Sequence, residues 1–246
     1  MASHYLTESP GLNIARGLTR AKTLHKFGAN FDLDANTPAS VWCAGGLYPW
    51  ATLDAGAASV TVESAASTDR SDSVGARTVQ LEGLDADYNE VSEVITMNGV
   101  NQVASTTEFL RLHRAYVLTA GSQGTNMGAI FIRNGGTTVA HISAGFGQSL
   151  MAVYTVPAGY TAYMTTFDFA VQKAKDAQLL VKMREHGGVF RIQHIGEAYQ
   201  SNYRYDFPLP VQIPAKTDID FRVDQPETNN TRITANFDLI LIPGSR

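Results

Sequence analysis

The sequence predicts an all-β fold: an antiparallel β-sandwich, jelly-roll-like, with an extended N-terminal arm. Three observations carry this reading. Apolar and polar residues alternate with period two through most of the chain, turn signatures interrupt the alternation at intervals, and residues 1–35 show no sustained alternation. Successive strand residues point to opposite faces of a sheet, so such alternation buries one face and wets the other. That is the pattern of antiparallel sheets packed face to face.

Residues 1–35 combine Gly11, Gly17 and Gly28 with scattered Leu and Ile. Ile14, Leu18 and Leu24 are too sparse to support a free-standing helix there, so an extended assembly arm is expected. The body then runs from 36 to 246, as one sandwich or as two packed sub-sandwiches split near 135–150. Trp42, Tyr48, Pro49 and Trp50 gather both tryptophans of the chain into nine residues. Such a cluster either plugs one end of a sandwich or forms a contact patch on a partner.

Sustained alternation begins near residue 58. Val60 and Val62 show it, then Val79 and Leu81, and Tyr163, Phe167, Phe169 and Val171 share one face. Ile219, Phe221 and Val223 alternate with Asp218, Asp220, Arg222 and Asp224, whose face is expected to stay wet. Ile233, Ala235, Phe237, Leu239 and Leu241 close the series at odd positions. Residues 168–182 could be argued helical, but their alternation favours strand.

Turns fall at Gly83–Asp87, Asn98-Gly99, Asn134-Gly135-Gly136 and Gly187-Gly188. Asn-Gly supplies the positive φ that hairpin turns need. Val156-Pro157-Ala158-Gly159 and Ile213-Pro214-Ala215-Lys216 repeat one turn type, in which proline ends a strand and presets φ. About a dozen strands result.

Composition narrows the functional classes. Charged residues make up 17% of the 246 residues, below the roughly 25% of typical soluble domains, which suggests a surface partly covered by neighbours. The formal net charge is −4, against nucleic-acid binding. Residues 1–30 hold Arg16, Arg20, Lys22 and Lys26 against Glu8 alone, a net of +3 that leaves −7 for the remainder. A basic arm on an acidic body reads as a docking segment, or else as a solvated terminus. Cys43 is the single cysteine, so neither an internal disulfide nor a cysteine-built zinc site is expected. No run approaches 18 apolar residues, and the first residues lack a signal-peptide pattern. Synthesis in a cytoplasm, without membrane insertion, is the expectation.

Reactive constellations are sparse. Gly145-Phe146-Gly147-Gln148 is a fragment of a nucleotide loop set between strands, and neither a Gly-x-Ser-x-Gly elbow nor a P-loop lysine is present. His186 and His194 could face each other across the Gly187-Gly188 hairpin, but no third metal ligand presents itself. Asp85 and Asp87 suit a turn, or a calcium ion. Asp218 and Asp220 suit a wet strand face better than a glycan-cleaving pair. The sequence thus predicts no enzyme, with no catalytic residue, metal or cofactor. Tyr199, Tyr203, Tyr205 and Phe207 could stack on sugars or line a buried strand face.

Two stretches carry a family resemblance. His25-Lys26-Phe27-Gly28-Ala29-Asn30, followed by Val41-Trp42 and Gly45–Trp50, is one; Gly75–Glu90, continued by Thr96-Met97-Asn98-Gly99, Phe109-Leu110-Arg111 and Tyr154–Gly159, is the other. Together they resemble virion structural proteins of tailed bacteriophages, including those infecting cyanobacteria, over nearly the whole chain. The resemblance implies a station in the virion. The leading expectation is a tail- or neck-associated fibre, fibre-anchor or collar subunit docked through its N-terminal arm. Capsid decoration, as a cement protein, and a glycan-binding receptor module are the alternatives. Partners would be portal, adaptor, tail or major capsid proteins, with homo-oligomers as trimers or rings. Candidate partner-binding residues are Arg16, Arg20, Lys22, Lys26, Trp42, Tyr48 and Trp50.

Overall fold

A computed structural model describes residues 10–199 and 201–244. Residues 1–9, with His4, Glu8 and the first part of the predicted arm, lie outside the described residues. The described chain is all-β, built of antiparallel sheets. Two short helices, α1 (Pro10–Ala15) and α2 (Trp50–Leu53), interrupt sixteen strands.

In chain order the strands are β1 (Lys22–Leu33), β2 (Ala39–Ser40), β3 (Ala58–Ser64), β4 (Ala76–Leu84), β5 (Glu90–Thr96), β6 (Val103–Phe109), β7 (Arg111–Ala120) and β8 (Ile130–Asn134). There follow β9 (Thr137–Ile142), β10 (Val153–Thr155), β11 (Tyr160–Val171), β12 (Asp176–Arg184), β13 (Arg191–Tyr199), β14 (Asn202–Ile213), β15 (Asp218–Pro226) and β16 (Thr231–Pro243). Residues 168–182 are strand, turn and strand, as their alternation predicts.

These strands build two sandwiches. The first packs the sheet β1-β16-β11-β14 against β10-β15-β12-β13, with β2 beside β15. Its core is strongly aromatic: Phe221 and Phe237 lie stacked at 4.6 Å, with Phe167 and Phe169 beside Phe221. The second sandwich packs β6-β3-β8-β9 against β5-β4-β7 around Val60, Val79, Leu81, Phe109 and Ile130. It is an insert: the chain lays down β1 and β2, leaves to build this unit, and returns at β10.

The two cores share a wall. Successive side chains from Met151 to Tyr154 alternate between them, Met151 and Val153 entering the insert's core, Ala152 and Tyr154 the other. Val41 and Trp42 divide in the same way. Strand periodicity, which normally separates a core from water, here separates one core from another.

Two sequence expectations need correction. Residues 22–33 are no arm, because Lys22 to Asn30 pair residue by residue with Leu241 to Ile233. Lys26, Gly28, Ala29 and Asn30 are all buried. A strand covered on both faces loses the alternation that would mark it. The polar face of β15 is not wet either: Asp220 is 0% exposed and Asp218 is 3% exposed.

Candidate functional site

What covers the polar face of β15 is the insert, and the contact builds a charged junction. Trp50 leads helix α2 onto this face and donates from Nε1 to Asp220 Oδ2 at 2.8 Å, where Arg222 Nε also donates at 2.7 Å. Burial pushes the Asp220 carboxyl up from its ordinary range, against the opposing pull of Arg222 and Trp50.

Beside it, Arg111 of β7 reaches across to Asp218 with Nε at 3.0 Å and Nη2 at 3.3 Å, and to Asp54 Oδ1 at 2.7 Å. Arg184 of β12 binds the same two carboxylates, at 2.5 Å to Asp218 and 2.6 Å to Asp54. The Thr155 hydroxyl gives Asp218 a further bond at 2.5 Å. Partial burial raises Asp54, but hydrogen bonding from Arg184 and the charges of Arg111 and Arg184 outweigh it, so its carboxyl sits below the usual range.

Two guanidinium groups thus meet two carboxylates with no net charge left over. Such a quartet orients two bodies against each other. Tyr88 and Lys216, one from each sandwich, close its rim with the Lys216 ammonium 5.0 Å from the ring centre. Both have positive φ, 68° and 65°. Lys216 occupies the position taken by Gly159 in the twin Pro-Ala turn, and the two turns bond to each other through Lys216 N–H and the Val156 carbonyl.

The structure scatters the sequence-predicted partner residues. Arg16 and Arg20 lie in the stretch 11–20, which contains no buried residue and exposes Leu12 and Leu18. Lys22 is committed to Glu90 at 2.8 Å and to the Tyr160 ring. Lys26 is buried, its Nζ donating to the His113 carbonyl. Trp42, Tyr48 and Trp50 are buried and stack edge to face at 5.1 and 4.8 Å, so they plug the junction and form no contact patch.

His186 and His194 bond different tyrosines, Tyr88 at 3.2 Å and Tyr203 at 2.7 Å, and do not face each other as a ligand pair. Asp85 closes its turn by accepting from the N–H groups of Asp87 and Asn89. Among the described residues no three His, Cys, Asp or Glu side chains form a metal-binding group. Tyr203 and Phe207 pack against the first core, whereas Tyr199 stands exposed.

Sequence reasoning passed over Arg111, Arg184 and Asp54. The signal for Arg111 was an arginine between Leu110 and Leu112 at the start of a strand, where a solvated residue is out of place. Nothing local marks Asp54 or Arg184.

A cavity of about 390 Å³ lies on another side of the junction, between β1 and strands β4, β5 and β7. Lys26, Glu82, Glu90, His113, Arg114 and Tyr154 are among its walls. Burial, then the neighbouring charge of Arg114, hold the Lys26 amine down to about 7. His113 is likewise pushed well below the ordinary imidazole range, first by burial and then by Lys26 and Arg111.

No protein-family model matches the chain, and none of the curated proteins matches it. A solved structure titled as the crystal structure of the infectious bursal disease virus VP2 subviral particle is similar at 8% identity and a TM-score of 0.13. The alignment covers 92% of this chain and 82% of that one. A likeness at that level carries no argument about fold or function.

Proposed function

We propose that this chain is a non-enzymatic structural subunit of a virus particle of the tailed-bacteriophage kind, stationed at the tail or neck. It docks through the residues that precede β1. One observation carries the docking reading: no residue of the stretch 11–20 is fully buried, and Leu18 stands 61% exposed two residues from the exposed Arg20. Apolar and cationic residues offered together suit an acidic partner surface with an apolar centre.

Strand order supports the virion reading. Counted without β2 and the insert, the first sandwich runs first-eighth-third-sixth against second-seventh-fourth-fifth. We read this as jelly-roll winding, an architecture used by viral capsid and lectin domains. The resemblance to tailed-phage virion proteins points the same way.

The test is a chain lacking residues 1–21, offered in place of the intact one during particle assembly. Its body is expected to fold and to be missing from purified particles. Incorporation at the normal level would refute docking through this segment. Quantifying the intact chain per particle separates stations: low copy number fits a tail or neck part, while hundreds of copies would mean capsid decoration. Absence from particles would overturn both.

A further inference from the structure

Lys26 has a place in the fold that a purely structural lysine does not need. It stands in the wall of an open cavity of about 390 Å³, within the size range of small-molecule sites. Its Nζ donates to the His113 carbonyl and forms no close ion pair among the described residues, with the Glu82 charge acting on it from the same cavity. Four of the other titratable groups nearby are otherwise engaged. Glu90 is bound to Lys22, His25 to Asp238, and His113 Nε2 accepts from the Thr155 N–H. Tyr154 is buried against the His113 ring. Arg114, at the exposed side, stands opposite Glu82 in the β4–β7 ladder and donates to the neutral Gln148 amide.

We propose that this cavity is a covalent binding site for a small carbonyl compound bearing a carboxylate, with Lys26 forming the bond and Arg114 receiving the carboxylate. A desolvated lysine beside a second cation is a recognised way of making an amine nucleophilic. In its neutral form Lys26 keeps one N–H on the His113 carbonyl, and no donor among the described residues occupies its lone pair. That lone pair attacks the carbonyl carbon, and the former carbonyl oxygen takes a proton to give a carbinolamine. The hydroxyl then leaves as water with the remaining amine proton, and a C=N bond forms. One water is released and nothing is oxidised or reduced. Glu82 lines the same cavity, near enough for its charge to act on Lys26, and is the carboxyl assigned to carry the proton.

The intact protein is treated at pH 7 with glyoxylate and cyanoborohydride, which traps the imine as a stable secondary amine, and the modified lysines are mapped by peptide mass spectrometry. Lys26 is expected to react about tenfold or more faster than exposed Lys173, with the advantage shrinking towards pH 10 as ordinary lysines lose their protons. Arg114→Gln should slow the glyoxylate reaction several-fold and leave that of uncharged glycolaldehyde unchanged. Modification of Lys26 no faster than that of Lys173 would overturn the site. Equal slowing of both aldehydes in Arg114→Gln would overturn the carboxylate assignment.

Discussion

Lys26 also makes stability depend on pH. Its folded amine is held near 7 against an ordinary 10.5, so between those values the unfolded chain binds a proton that the folded chain lacks. Stability therefore rises with pH across that window, by up to about 1.4 kcal/mol per unit, and the charged form is penalised throughout below it. Lys26→Met should flatten the dependence between pH 7 and 9.5, read from urea midpoints. An unchanged slope would mean that the amine is solvated. Two residues on, Gly28 serves by having no side chain: a Cβ there would lie 2.3 Å from both Ala152 N and Val41 O. Gly28→Ala should cost at least the roughly 1–3 kcal/mol of an overpacked core, measured by thermal melting. Asp69 shows how little of this is visible locally. It reads as a loop aspartate, yet it is fully buried and accepts from Ser64 Oγ and the N–H groups of Ala76, Met127 and Gly128 at 2.6 to 2.9 Å. A fully bonded buried carboxylate depends on what distant loops bring to it, and no short-range pattern encodes that.

At the scale of elements, β1 decides which truncations are tolerated. Removing residues 1–21 spares its ladder to β16, whereas removing 1–30 strips the paired run Lys22–Asn30 and the buried Ala29. The shorter deletion should melt as the intact chain does, and the longer should be unfolded or aggregated by circular dichroism and gel filtration. Strand β15 invites a second comparison. Asp218→Ala leaves Arg111 buried with Asp54 as its remaining carboxylate, and losing one member of a buried ion pair costs about 3–5 kcal/mol. Loss of less than 1 kcal/mol in denaturant titration would show the quartet to be solvated. Strands with one wet face, such as β16 with its odd-numbered apolar row, were legible from alternation, as were the turns at 134–136 and 187–188. β1 was not, since its middle run Gly28–Asn30 is buried on both faces, and the polar side of β15 was misjudged because alternation reports polarity and cannot say what covers it. The partner residues fared similarly: charge and aromatic content located Lys26 and Trp50, while their burial depends on an insert that composition does not reveal.

The whole molecule is two sandwiches with a common wall, and that should govern how it comes apart. With Met151 to Tyr154 alternating between the cores, and Arg111 and Arg184 bridging them, calorimetry should record a single unfolding transition. Two resolved transitions in the wild type would show the halves to be independent, and Asp218→Ala is the variant expected to begin separating them. Interruption of the first sandwich between β1 and β10 also sets an order for manufacture. The insert's strands are contiguous in sequence and can settle while the ribosome is still at work, but Lys22 must wait for Leu241, its partner across the ladder. Contacts so distant along the chain form slowly. Prematurely terminated products would thus keep β1 as a loose end beside a finished inner unit. A particle that recognises the segment just ahead of β1 would find it firmly seated only on chains whose synthesis had reached the last strand, so quality control comes with the winding itself.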